Sequence, residues 1–488
     1  MVFSSLIFLC IFLPIMIIGY YVLPKKCRNI YLLLGSLFFY AWGEPKYIFL
    51  MLASIVGNYL FGIIIHQAAV SDKNSLKKFT LAITIIFNIG LLFYFKYFDF
   101  FITNVNAVAN TDIKLRNILL PLGISFFTFQ QISFLHDVYK GDMREVGFID
   151  YSLFVTFFPQ LIAGPIVTGD EMLPQFAKLP GFDSDRFASG IATFTFGLAK
   201  KVLIADTFAK AVDYGYANIA GISGAEAFLT MLFYTIQLYF DFSGYCDMAI
   251  GIGRMFGIDI AQNFNSPYKA VNIDDFWKRW HITLSRFFTK NVYIPLGGNR
   301  KGALRTYVNL FIIFFLSGLW HGAGWNFVAW GCLHGALYVL TRVYHNRGYK
   351  LKDNVINKIV SVLLTFAFVN IAWIFFRAPD ITEACALINR MFTGGWVIPS
   401  ESFVDGFNLW EFWYVLKILR LTSYKYSKYI LVVVISIFAL GITFFAPNIH
   451  EAVKKMKFNG ISAIIVSVLL AWCIVSLSGV STFLYFNF

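Results

Sequence analysis

The chemistry this sequence could perform concentrates in one stretch, SGLWHGAGWNFVAWGCLHG, from Ser317 to Gly335. It places His321 and His334 among five glycines and three tryptophans, between runs apolar enough to cross a bilayer. An ionisable side chain carried into a membrane span is costly, and by default it marks a functional site. Burial disfavours the charged imidazole, so a buried His321 stays neutral and can take a proton from a hydroxyl near neutral pH. A positioned base of that kind contributes about 10²- to 10⁴-fold in rate. Gly318, Gly322 and Gly324 remove side chains where a substrate or a second backbone comes close, and Trp320 and Trp325 offer amphipathic walls. His334 reads equally well as a core histidine satisfied by a neighbouring carbonyl.

A second histidine lies upstream in DDFWKRWHITLSRFFTKNVYIPLGGNRKG, Asp274 to Gly302. On a wheel of about 100° per residue, Asp275, Arg279, Arg286 and Lys290 fall within roughly 60° of one another. Phe276, Trp277, Trp280, Leu284, Phe287 and Phe288 take the other side, and His281 sits at the edge of that apolar side. The pattern predicts a helix lying at the inner membrane surface with its basic residues toward water. Such a helix could also dip inward, presenting His281 to a buried site while its cations meet the phosphates of a nucleotide-bearing donor. His66, His345 and His450 sit at span ends or in loops and need no function, and His136, beside Asp137, reads as a structural hydrogen-bonding group.

Other polar residues could line the same site. Gln237, Asp241 and Tyr245 share one helix face at i, i+4, i+8, and PLGISFFTFQQISF adds Ser125, Thr128, Gln130 and Gln131. Hydrogen bonding between helices is the ordinary use of such groups in membrane bundles. There is no G-x-S-x-G, P-loop or H-E-x-x-H, and GIGRMFG lacks the strand context of a dinucleotide fingerprint. The six cysteines have no paired spacing and point to no metal.

The elements that must hold these residues are membrane helices. Of 488 residues, 58% are hydrophobic, 19% aromatic and only 14% charged, and the mean hydropathy is +0.67. No soluble globular domain has this composition. Apolar segments of spanning character fall at about 3–23, 29–43, 46–66, 79–95, 117–135, 150–166, 186–206, 226–250, 306–320, 325–343, 355–376, 429–446 and 460–482. FFPQLIAGPI, Phe157 to Ile166, is broken by Pro159, Gly164 and Pro165 and reads as a re-entrant element, which is tolerated at depth only under a cover of protein or beside a water-filled cavity. The net charge of +13 sits in short loops, where it orients spans rather than binding nucleic acid. By that rule LPKKCRN, SDKNSLKK, the stretch from Lys269 to Arg305 and TRVYHNRGYKLKDN are cytoplasmic, the N-terminus is outside, and His321 lies toward the outer face. Lys200 and Lys201 interrupt an apolar segment. KILRLTSYKYSK and EAVKKMK cannot both be inside if one span separates them, which leaves the C-terminal topology open. No polar linker divides the chain, so residues 1–488 read as a single integral membrane domain, with 274–302 as its amphipathic stretch and 306–343 as its histidine spans.

DFWKRWHITLSRFFTKNVYIPLGGNRKG followed by LSGLWHGAGWNFVAWGCLHG resembles the membrane-bound O-acyltransferase family, and within it the branch of alginate O-acetyltransferase membrane subunits. LLLGSLFFYAWGEPKY, LPLGISFFTFQQISFLHDVY, FFPQLIAGPI, GLAKKVLIAD and QLYFDFSGYCDMAIGIG are similar to that branch too, so the resemblance spans nearly the whole chain, least clearly from about Met391 to Lys457. It implies an all-α polytopic fold, a ring of about 11–13 tilted spans with re-entrant and interfacial helices around a central channel. It implies that His321 is the catalytic histidine, as base or as transient acyl carrier, and that His281 orients the donor or hydrogen-bonds its thioester carbonyl. Trp320, Trp280, Arg279, Gln237, Asp241 and Asn326 are the candidates for contact with substrate.

The expected reaction moves acetyl from cytoplasmic acetyl-CoA, a substrate rather than a bound cofactor, across a bacterial plasma or inner membrane to a polysaccharide outside. An extracytoplasmic partner of the SGNH, serine-hydrolase-like type would complete the transfer, since the chain contains no domain that could grip a long glycan. Two alternatives stand: a D-alanylation-type acyltransferase fed by a carrier-protein thioester, and a transporter or flippase. The latter folds commonly show paired repeats with matched interruptions, whereas both motif histidines lie in the second half of this chain.

Overall fold

A computed structural model describes the chain except residues 143–145, 349–351, 353, 408–416, 421–423, 425, 478–482 and 485–488. Every regular element among the described residues is helical. The protein is an all-α polytopic membrane protein. Among the described residues six helices are long and apolar enough to cross a membrane: Ile48–Val70, Asn74–Ala109, Ser184–Ala217, Ala303–His321, Val355–Arg377 and Ser427–Phe445, with Phe8–Val22 and Gly460–Val475 shorter but apolar. Exposed Leu363, Leu364, Ile437 and Phe438 show why these elements need lipid: their outward faces are as apolar as their packed ones. Most of the remaining expected spans are helical as well, among them Lys25–Gly43, Gly224–Met255 and Trp325–Asn346, whereas the 117–135 span is helical only from Ile124 and the 150–166 span only to Thr156. The end of the 460–482 segment and parts of the loops at 341–354 and 417–428 fall outside the described residues.

The chain forms two compact units. The first comprises Met1–Phe194, Cys246–Gln262 and Arg286–Ile294. In it the Phe148–Thr156 helix stops before Pro159, and residues 157–167 run on without regular helix, buried throughout. Protein supplies the cover that irregular backbone at depth requires: Phe158 donates its N–H to Ser36 Oγ at 3.1 Å, and the Gln160 side chain donates to the Phe154 carbonyl at 2.9 Å. His136 has the structural role expected of it, with Nδ1 2.8 Å from Asn291 Oδ1, while Lys290 pairs with Asp137 at 2.7 Å.

The second unit comprises Thr195–Tyr245, Asn263–Ser285 and Pro295–Phe488. It resolves the two lysines that broke the apolar pattern. Lys200 to Ala205 adopt a π-helical turn. Within it the buried Lys201 ammonium bridges Asp241 at 2.6 Å and Asp206 at 2.7 Å. Asp241 also accepts the backbone N–H of Leu484 at 3.1 Å. One cation thus pairs with two carboxylates, buried Asp241 and the partly exposed Asp206, so that no buried charge is left without a partner.

The stretch from Asp274 to Gly302 departs from expectation. Instead of one surface helix there are two short ones, Ile273–Trp277 and Ile282–Phe288, followed by a π-helical turn at Thr289–Tyr293. The break falls at Lys278–His281, where His281 adopts φ +46°. A continuous wheel therefore does not hold, and the cations are taken up one by one: Arg279 by Asp275 at 2.8 Å, Arg286 by Glu171 at 2.7 Å and Lys290 by Asp137.

Candidate functional site

His321 ends the Ala303–His321 helix, and Gly322 caps it in an extended conformation with φ −159°. The chain then reverses into the Trp325–Asn346 helix. The two helices touch through glycines: a Cβ on Gly318 would lie 3.1 Å from the Gly331 Cα, and one on Gly331 would lie 2.5 Å from the Phe314 carbonyl. A side chain on Gly322 would collide with the Phe327 ring and one on Gly324 with Asn326 Oδ1. These glycines admit a second backbone and its side chains, the packing half of what the motif offered. Asn309 fixes the other end of the first helix by donating to the Gly298 carbonyl at 3.0 Å.

His281 reaches the same place from the break in the preceding segment. Its carbonyl accepts the Ser285 N–H at 3.2 Å, which makes it the residue that starts the Ile282–Phe288 helix. That helix begins with unpaired N–H groups, as all helices do, and a distant asparagine satisfies two of them. The Asn263 carbonyl accepts from Ile282 N–H at 3.0 Å, and Asn263 Oδ1 accepts from Thr283 N–H at 3.2 Å. The same Oδ1 accepts the Thr283 hydroxyl at 2.9 Å and lies 3.2 Å from His281 Nδ1. A non-glycine residue with positive φ is held at a cost of about 1–3 kcal/mol, and these bonds hold it. Burial pushes the His281 imidazolium down to a pKa of about 3, so the ring is neutral at physiological pH.

The two imidazoles stand 6.3 Å apart by ring centroids, tilted at 58°. Trp320 flanks both, 6.0 Å from His281 and 4.9 Å from His321. Trp330 and Phe376 meet the His321 ring edge-on at 5.1 and 5.0 Å, and Phe242 does the same to His281 at 4.9 Å. His281 is fully buried and His321 only 3% exposed. A cavity of about 680 Å³ opens in the same unit beside Tyr344, His345, Lys352 and Lys358, but neither His281 nor His321 lines it. His321 is flanked by the Trp320, Trp330 and Phe376 rings and only 3% exposed.

The other candidates have settled positions. Trp320 joins the histidine pair, whereas Trp325 is 57% exposed. Trp280 is buried in an aromatic stack, 4.9 Å from Trp373 and 5.7 Å from Phe276. Arg279 is engaged by Asp275, and Asp241 by Lys201. Asn326 donates to the Ala378 carbonyl at 2.8 Å and to that of Phe375 at 3.2 Å, capping the end of the Val355–Arg377 helix. The Gln237 side chain is buried. His334 is a core histidine, but its partner is no carbonyl: Nδ1 accepts the Trp277 indole N–H at 3.3 Å. Sequence reasoning missed Asn263, Trp330 and Phe376. Asn263 lies 18 residues before His281 and meets it through a chain reversal that no periodicity announces.

The profile of the membrane-bound O-acyltransferase family matches residues 39–378. The chain is 44% identical over 423 residues to a protein from Helicobacter pylori named "Peptidoglycan O-acetyltransferase", covering 80% of each chain. It is 40% identical over 400 residues to the "Probable alginate O-acetylase AlgI" of Pseudomonas aeruginosa, covering 81% of this chain and 75% of that one. The "Teichoic acid D-alanyltransferase" of Bacillus subtilis is 28% identical over 272 residues, 52% of this chain and 68% of that one.

Proposed function

The chain belongs to the membrane-bound O-acyltransferase family, and from that premise we propose that it carries acetyl from cytoplasmic acetyl-CoA to hydroxyls of an extracytoplasmic polysaccharide. The observation that carries this reading is the meeting of His321 with His281, two buried imidazoles 6.3 Å apart delivered by separate elements. Those residues match the family's histidine motifs, and relatives at 40% and 44% identity are named for O-acetylation of alginate and peptidoglycan.

In this mechanism the acceptor oxygen attacks the thioester carbonyl while His321 removes the hydroxyl proton. The C–S bond breaks, the CoA thiolate departs, and the imidazolium returns the proton to it. The covered ring excludes water, which would otherwise hydrolyse the thioester. Access depends on displacement of the Trp320, Trp330 or Phe376 rings. The donor approaches from the cytoplasmic face and the first acceptor hydroxyl from outside; an extracytoplasmic SGNH-type partner then moves the acetyl group on, a polymer hydroxyl attacking the ester carbonyl and the first hydroxyl leaving.

The test is transfer from radiolabelled acetyl-CoA by the purified protein in lipid nanodiscs, supplied with the partner or a soluble sugar acceptor. Transfer from acetyl-CoA alone supports the reading. Strict dependence on a carrier-protein thioester would replace it with the D-alanylation type of chemistry.

A further inference from the structure

We infer that Asn263 is a positioning residue of this site: it fixes His281 as the tautomer carrying its proton on Nδ1, which makes Nε2 an obligate hydrogen-bond acceptor in a ring whose centroid stands 6.3 Å from that of His321. The inference rests on the acyltransfer reading for its consequence but not for its geometry. A backbone N–H can only donate, so the Asn263 side-chain atom facing Thr283 N–H at 3.2 Å is the carbonyl oxygen, and the orientation of the amide is settled. That oxygen can only accept. His281 Nδ1, 3.2 Å away, must therefore supply a hydrogen. In a neutral imidazole the proton on Nδ1 leaves a lone pair on Nε2.

The assignment changes what His281 can do. A ring whose Nε2 only accepts cannot donate to a thioester carbonyl, so the oxyanion-stabilising role expected for this position falls away. With the Nδ1 edge engaged by Asn263, the lone pair lies on the opposite edge of a ring whose centroid is 6.3 Å from that of His321, the neighbour that changes charge in the proposed reaction. When His321 takes the hydroxyl proton it becomes an imidazolium, and a neighbouring ring held neutral with an accepting Nε2 adds no opposing charge and offers it a lone pair when the two rings approach. A buried carboxylate performs that service for the histidine of serine hydrolases. Here a neutral acceptor performs it, which avoids burying a fixed charge. The left-handed backbone of His281 fits this account, since residues held at positive φ gather where a side chain must be aimed.

Two measurements test the inference. In protein labelled with ¹⁵N-histidine, the His281 signals, identified by their loss in His281→Gln, are expected at the protonated position for Nδ1 and the bare position for Nε2. The opposite tautomer overturns the assignment even if acetyl transfer is confirmed. For the consequence, Asn263→Leu should lower kcat by roughly 10-fold or more with KM for acetyl-CoA unchanged, and Asn263→Asp, which keeps an accepting oxygen, should recover most of it. Wild-type kcat in a folded Asn263→Leu protein, or loss in Asn263→Asp equal to that in Asn263→Leu, overturns the positioning role. If Asn263→Leu does not fold, the tautomer measurement on the unaltered protein decides.

Discussion

At the scale of single residues, the fold invests in keeping polar groups both buried and assigned. His281 titrates far below an exposed histidine because its site excludes water, so between its folded value of about 3 and an unfolded value of about 6.5 the unfolded chain binds the extra proton. Its contribution to stability is complete above the unfolded pKa and is lost as the pH falls through that window. The melting temperature in detergent should therefore drop more steeply between pH 7 and pH 5 for the native protein than for His281→Gln, and parallel curves would contradict the burial argument. Lys201 makes the complementary case. Lys201→Met leaves Asp241 buried without its cation, a loss of about 3–5 kcal/mol. Thermal unfolding should show it, with partial recovery in Lys201→Met combined with Asp241→Asn. The types of these residues could be read from the sequence as expensive and therefore purposeful. Their partners could not, because Asn263 and Asp241 reach them through tertiary contacts that leave no periodic trace.

Between residue and molecule stand the helices, and most were legible because a bilayer asks for one thing, about 20 apolar residues in a row. Hydrophobicity located Ile48–Val70, Ala303–His321 and Val355–Arg377 to within a few residues. It failed on the stretch from Asp274 to Gly302, where a good helical wheel concealed a break: the left-handed His281 and the capping bonds from Asn263 outweigh the local preference for one continuous helix. The glycines of the histidine hairpin show a similar limit, since the sequence allowed either a substrate or a second backbone and the structure places a backbone against Gly318 and side chains against Gly322 and Gly324. Gly331→Ala should then push the two helices apart at Gly318 and displace His321. The expected outcome is a melting temperature lowered by several degrees together with reduced transfer. An unchanged melting temperature with full activity would mean that the close crossing positions nothing.

For the whole molecule, composition alone excluded a soluble protein, and the order of motifs along the chain placed it in an acyltransferase family. The site residues proved to be of two kinds. His281, Trp320 and His321 converge, while Arg279, Asp241 and Asn326 serve ion pairs and a helix end. Polar residues in a membrane bundle need partners whether or not they touch substrate, and a sequence does not distinguish the two demands. If the covering rings control access, Trp320→Ala should change KM for donor or acceptor more than Trp280→Ala, whose ring packs against Trp373 and Phe276; equal effects would contradict gating at Trp320. The central claim concerns His321, and it is tested most directly by transfer from radiolabelled acetyl-CoA with purified His321→Ala in nanodiscs beside the native protein. The account predicts a loss of about 10²-fold or more with melting temperature and membrane insertion unchanged, whereas transfer at the native rate would contradict it.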